Sequence, residues 1–162
     1  MCTKKVYIEE KDKSPMRITQ EADYGIRICC ILDDAGGILD AATIAARACI
    51  SQAIALKTLR RLHGGGIIKS HKGSCGGYEL DRDPETLTVK DIIETVEGEI
   101  RISKCLDPCH DCTKNVCKGD CKMHLAFCAL NKLLTERLSL VTVRSLTDSK
   151  MTAAELVAKI QS

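Results

Sequence analysis

Eleven cysteines occur in the 162 residues, and five of them, Cys105, Cys109, Cys112, Cys117 and Cys121, fall within 17 positions, with His124 and Cys128 just beyond. The first fifteen residues (MCTKKVYIEEKDKSP) are charged and carry no apolar export segment, so the expected compartment is the reducing cytoplasm. Disulfides do not persist there, and an odd number of thiols could not pair completely within one chain. Thiols gathered in this way are soft-metal ligands first and redox groups second. Cys109-x2-Cys112 followed by Cys117-x3-Cys121 has the spacing of a tetrahedral zinc knuckle. Thiolates joined by one weaker histidine or carboxylate ligand suit an iron–sulfur cluster with a labile iron. Sensing by the thiols alone uses the same residues without a metal. Cys29, Cys30 and Cys49 lie outside the group and are expected as small buried hydrophobes. His63, His71 and His110 are expected to be solvated.

The basic residues form a second group. Residues 41–78 hold six (Arg47, Lys57, Arg60, Arg61, Lys69 and Lys72) and no Asp or Glu. That block is +6 within a chain whose net charge is only +2, leaving the remainder at −4. A polyanion would therefore meet one basic face rather than a basic protein. Single-stranded nucleic acid is disfavoured, because Tyr7, Tyr24, Tyr78 and Phe127 are the only aromatics available for base stacking. No stretch approaches the ~18 consecutive apolar residues that span a bilayer. Neither a nucleophile–base pair nor paired carboxylates nor a catalytic metal motif is present, so an enzyme is not expected. A small iron–sulfur electron carrier would share the cysteines but has no need of the basic block.

The elements that must position these groups follow from local signals. Thr19 caps a helix toward Asp33 or Asp34 with Ala22, Ile26, Cys29 or Cys30, and Leu32 or Ile31 on its inner side, and Gly36-Gly37 stops it. Asp40 precedes the alanine-rich AATIAARA. Cys49-Ile50 turns the chain, and Ser51 caps a third helix, QAIALKTLRRLH. Ile54, Leu59 and Leu62 are expected inward on this helix, with Gln52, Ala53, Lys57, Arg60 and Arg61 outward. Two short strands around Ile67–His71 and Tyr78–Leu80 flank a glycine-rich tip that contains Lys72 and Gly73. The plan is mainly α with a small β-hairpin wing: a winged helix-turn-helix, suited to duplex DNA with the third helix in the major groove and the basic tip against the minor groove.

Thr88 and Asp91 form a capping box for a further helix that Gly98 closes. Beyond the cysteines, Met123, Phe127, Leu130, Leu134, Leu138 and Val141 recur at coiled-coil spacing in a long helix. Such a seam serves a homodimer, or burial against the chain's own first helix. Thr152 and Glu155 cap a last short helix. The expected organisation is an arm at 1–15, a winged helix-turn-helix at 16–98, a cysteine-rich loop at 99–121, and a dimerisation helix with a tail at 122–162.

With these residues in view, the chain resembles the Rrf-two family of bacterial transcriptional regulators over about 16–146. The likeness is carried by Met16-Arg17-Ile18-Thr19, Ile50-Ser51, Leu59-Arg60-Arg61-Leu62, Gly66-Ile67-Ile68, Lys72-Gly73 and Gly76-Gly77-Tyr78-Glu79-Leu80. The resemblance implies a DNA-binding regulator of repressor type, a homodimer reading an imperfect palindrome, with Ser51, Gln52, Ala53 and Lys57 facing bases. Lys72 stands where many members carry an arginine, and lysine lacks the guanidinium fork. Cys75 replaces a residue that is often glycine. Cluster-binding members hold an iron–sulfur cluster (2Fe-2S or 4Fe-4S) through three loop cysteines. Here Cys105 and Cys121 match the first and last, while the usual middle position falls on Asn115, flanked by Cys112 and Cys117, with Cys112 preferred. His124 matches the fourth ligand of one branch and Asp23 the acid that another branch supplies from the partner subunit. Zinc is the alternative occupant.

Overall fold

Residues 18–73, 76–109, 112 and 118–162 are described by the computed structural model of the chain. Helix α1 (Gln20–Ala35) opens with the Thr19 hydroxyl accepting the Ala22 amide, and Gly36 closes it in the left-handed conformation. Asp40 caps α2 (Ala41–Ala48) through the amides of Ala42 and Thr43, and Ser51 caps α3 (Gln52–Gly64) through that of Ile54. Between α2 and α3, Cys49 adopts a positive φ of 56°, so the tight helix-helix turn is made by a non-glycine residue. Strands β1 (Ile68–His71) and β2 (Gly77–Leu80) pair antiparallel, and the hairpin is fastened to the body by a bridge from Leu39 to Tyr78. The fold is therefore mainly helical with a two-stranded wing.

Helix α4 (Val89–Glu97) begins with the expected Thr88–Asp91 capping box. It crosses α1 at Gly25, where an added Cβ would come within 3.1 Å of Val96 and 3.2 Å of Ile92. A side chain at this position would crowd both methyl groups, which would have to give by a few tenths of an ångström. The core it closes is aliphatic: Ile28, Leu32, Ile44, Leu59, Leu62, Ile67, Ile68, Leu87, Ile92 and Val143 are essentially inaccessible. Burying them supplies the hydrophobic drive that holds α1 to α4 and the wing together.

A 3-10 turn (Lys104–Leu106) leads into the cysteine segment, and α5 (Lys122–Ser139) follows. No residue of α5 is buried, and Leu130 and Leu133 are each half exposed. The expected seam divides. Leu138 and Val141 pack beside the cluster formed by Ala22, Val89 and Ile93, whereas Met123, Leu130 and Leu134 stay exposed. At Leu140 the chain turns back, and Val141 and Val143 flank Leu87–Val89 through the bonds Val89 N–H to Val141 O and Val143 N–H to Leu87 O. This return starts α6 (Val143–Thr147), an element absent from the sequence expectation, with a capping box between Thr142 and Ser145. Arg144 pairs at 2.9 Å with the nearly buried Asp33, and Thr147 also donates to Asp33, so α6 is fixed to α1. Helix α7 (Ala153–Gln161) opens with the Thr152–Glu155 box. No helix among the described residues is long and apolar enough to cross a membrane.

Candidate functional site

The basic face is built on α3 and the wing. Ser51, Gln52 and Ala53 are exposed at the N-terminus of α3, with Lys57 and Arg60 exposed further along. Lys72 and Gly73 are exposed at the wing, where Gly73 takes a φ of 111° that glycine alone adopts readily. Cys75 lies outside the described residues. Ile54 departs from its expected inward place: it is exposed, and the inner stripe is Ala55, Thr58, Leu59 and Leu62. That set has the i, i+3, i+4, i+7 spacing of one helical face, and Ile54 sits about a quarter-turn off it.

Acidic side chains from elsewhere reach into this face. Glu21 of α1 faces both Lys57 (3.0 Å) and Arg61 (3.1 Å), and the Arg61 guanidinium also donates to the Val96 carbonyl of α4. In the wing, Glu79 pairs with Lys69 (3.1 Å) and His71 (2.8 Å). Hydrogen bonds from Lys69, then His71, hold the Glu79 carboxyl below the ordinary glutamate range. His63 is exposed, as expected, with its Nδ1 3.1 Å from the Ile68 carbonyl, whereas His71 is half-buried and lies 2.8 Å from the Glu79 carboxylate. Arg47, Arg60 and Lys72 form no ion pair among the described residues.

Cys105, Cys112, Cys121 and His124 line one pocket, together with Lys118 and Met123. Cys105 rides on the 3-10 turn, whose Ser103 hydroxyl lies 3.3 Å from its sulfur, and Cys121 stands at the N-cap of α5. His124 follows within the first turn. Its Nε2 lies 3.5 Å from the Cys128 sulfur, while its Nδ1 is buried with no hydrogen-bond partner among the described residues. A buried, unpartnered imidazole nitrogen beside three thiols fits a soft-metal group, since such a nitrogen otherwise bears the full cost of desolvation. The four side chains share the pocket without converging: among the described residues, no three His, Cys, Asp or Glu side chains gather at metal-binding distance. Cys117 and His110 lie outside the described residues. Cys109 is exposed and does not line the pocket. Asp23 is on α1, paired with Arg27 at 2.8 Å, and is not part of the pocket within its own chain.

Asn131 was not anticipated. Its amide donates to the Ile100 carbonyl and accepts from the Ile102 amide, both at 3.0 Å, so it clamps the backbone entering the cysteine segment onto α5. An asparagine in the middle of a long helix is the signal that could have found it, because asparagine is a poor helix former that needs a partner. Of the outlying thiols, Cys29 is buried and Cys30 half-buried, as expected of small hydrophobes. Cys49 is exposed instead, because it forms the turn rather than the packed side of a helix.

A family model described as Rrf2, iron-dependent transcriptional regulator, matches residues 18–149. The HTH-type transcriptional regulator NsrR of Bacillus subtilis is 27% identical over 125 residues, covering 76% of this chain and 80% of that protein. The HTH-type transcriptional regulator IscR of Escherichia coli is 26% identical over 139 residues, covering 83% and 82%. Among solved structures, CymR of B. subtilis, a global cysteine regulator, superposes with a TM-score of 0.65 at 24% identity, over 82% of this chain and 97% of that one. IscR of T. potens superposes with a TM-score of 0.63 at 22% identity, over 83% and 88%. At these identities the structural likeness speaks for the fold. The family match runs from the start of α1 to just past α6, taking in α3, the wing and the cysteine pocket, and on that span the chain belongs to the Rrf2 family of transcriptional regulators.

Proposed function

We propose that the chain is a cytoplasmic, homodimeric repressor that binds an imperfect palindrome in duplex DNA, with an affinity set by an iron–sulfur cluster. Cys105, Cys112 and Cys121 would hold the cluster, with His124 or the partner subunit's Asp23 as fourth ligand. The observation that carries this reading is the single pocket that collects the three cysteines and His124, with the unpartnered Nδ1 of that histidine beside them.

When bound, an iron–sulfur cluster supplies an iron centre open to oxygen, nitric oxide or iron shortage, and a two-state protein can follow its presence. The chain's own part is positional. Asn131 fixes the entry of the cysteine segment to α5, and that segment leaves directly from the end of α4. Helix α4 in turn touches the recognition helix through the Val96 carbonyl and Arg61. Order in the cysteine segment is thereby placed one helix away from the DNA-facing side chains.

Anaerobic purification with visible spectroscopy and iron, sulfide and zinc analysis tests the reading. The expected product is coloured and contains iron and sulfide. Cys105→Ala and Cys121→Ala should each abolish the colour, and Cys29→Ala should retain it. Colourless protein with stoichiometric zinc would assign the pocket to zinc, and metal-free protein with full DNA affinity would assign it to thiol sensing.

A further inference from the structure

Resting on the DNA-binding reading, we propose that Glu21 is a built-in competitor for DNA at Lys57, a positioning residue on α1 that lowers the protein's affinity for any duplex. Glu21 stands in the first turn of α1, outside the basic block, and its two carboxylate oxygens are divided between two cations of the recognition helix. Oε2 faces Arg61 at 3.1 Å, and Arg61 has a second tie to the Val96 carbonyl. Oε1 faces the Lys57 ammonium at 3.0 Å, yet no aligned hydrogen bond accompanies that distance, and the oxygen is otherwise buried. The Lys57 contact is therefore held by charge alone.

The two cations differ in what they can do next. Arg61 is 39% exposed and anchored at two points, so it belongs to the α1–α3–α4 joint. Lys57 is 62% exposed on a flexible stem and keeps only the carboxylate. Exposed ion pairs are weak and screened by salt. A DNA phosphate approaching α3 therefore competes with Glu21 for the same ammonium, and each cation already neutralised releases no counterion from the DNA when it binds. Glu79 and Asp81 hold Lys69 in the same manner within the wing, which shows that the +6 block is partly balanced by acids outside it. Glu21 is distinct because its target lies on the recognition helix.

The test uses the full-length protein as purified and a mixed-sequence duplex about three helical turns long, titrated at several salt concentrations. Glu21→Gln keeps the side-chain shape and removes the charge. Affinity should rise by about eightfold per bound protomer at 0.1 M salt, and the plot of log affinity against log salt should steepen by roughly 0.9 per protomer. In a Lys57→Ala background the same substitution should change the slope little, a coupling that a merely structural role for Glu21 would not produce. An unchanged slope in Glu21→Gln, or weaker binding, would overturn the proposal, the second by showing that the carboxylate orients Lys57 toward DNA. The two readings fail separately. If Lys57→Ala and Lys72→Ala leave the wild-type affinity and slope untouched, the DNA-binding face itself is misplaced. If they weaken binding while Glu21→Gln does nothing, only the competitor role falls.

Discussion

Cys29 sits in the packed side of α1 with its thiol wholly buried, and burial raises its pKa far above the ordinary cysteine range. Its neighbour Cys30 is pushed up to about 11, by burial first and by the nearby Asp34 and Asp33 carboxylates second. Both thiols are therefore poor nucleophiles and poor ligands, since the thiolate is the species that ligates. The same shift has a consequence for stability. The unfolded chain loses these protons near pH 9 while the folded chain still holds them, so the folded state binds more protons and stability falls as pH rises above 9. Below that pH the two states are equally protonated and the term vanishes. Urea unfolding between pH 8 and pH 10.5 should show this decline, and the Cys29→Ala, Cys30→Ala double variant should show a shallower one even if its stability at pH 8 is lower. An identical slope in both proteins would mean that the thiols are not protected by the fold.

Helix α5 is the element whose environment is incomplete within one chain. Apolar Leu130, Leu133 and Leu134 are exposed on it, and it has no buried residue of its own. Exposed apolar rows of this kind mark association surfaces. Leu130→Asp would place an unpaired carboxylate from each protomer in the proposed dimer interface, at a cost of about 3 kcal/mol or more apiece, which for the pair weakens dimerisation on the order of ten-thousand-fold. Since Leu130 is 53% exposed in the single chain, its monomeric fold should survive. Sedimentation should thus report a folded monomer at micromolar concentration where the parent is a dimer, and an unchanged dimer would move the interface elsewhere. What could be read of α5 from sequence, and what could not, follows from the range of the forces involved. Thr19, Asp40, Ser51, Thr88 and Thr152 announced their helices because a cap is made by neighbours within three residues. The heptad-like spacing gave the helix, but not the point at which Leu138 and Val141 leave the exposed row for the chain's own core. Helix α6 was missed for the same reason, because its anchor is the contact of Arg144 and Thr147 with Asp33, more than a hundred residues away in the chain. The cysteine pocket was half legible: residue types and spacing pointed to the cysteine-rich segment, and the family resemblance singled out Cys105, Cys112, Cys121 and His124 within it, whereas the Asn131 clamp depends on a partner backbone that no local pattern encodes.

At the scale of the whole molecule, charge and symmetry act together. A chain that is +6 over residues 41–78 and −4 elsewhere concentrates its positive charge on α3 and the wing, the face proposed to meet DNA, even though Glu21, Glu79 and Asp81 offset part of it. One such face covers one half-site. In the proposed homodimer two faces held by α5 pairing would cover two, and the distance between them would be fixed by the dimer rather than by the DNA. The recognition helices must then enter successive major grooves on the same side of the duplex, about 10–10.5 base pairs apart centre to centre. Inserting about half a turn of DNA between the half-sites of a selected operator rotates one of them to the far side, where the second α3 cannot reach it. Affinity should fall toward that of a single half-site, whereas inserting a full turn should restore the facing though not the distance. In the Leu130→Asp protein both insertions should have almost no effect, because each monomer binds its half-site alone. Band-shift titrations of the three operators with both proteins make the comparison, and spacing-independent binding by the parent would show that its two faces are not rigidly coupled.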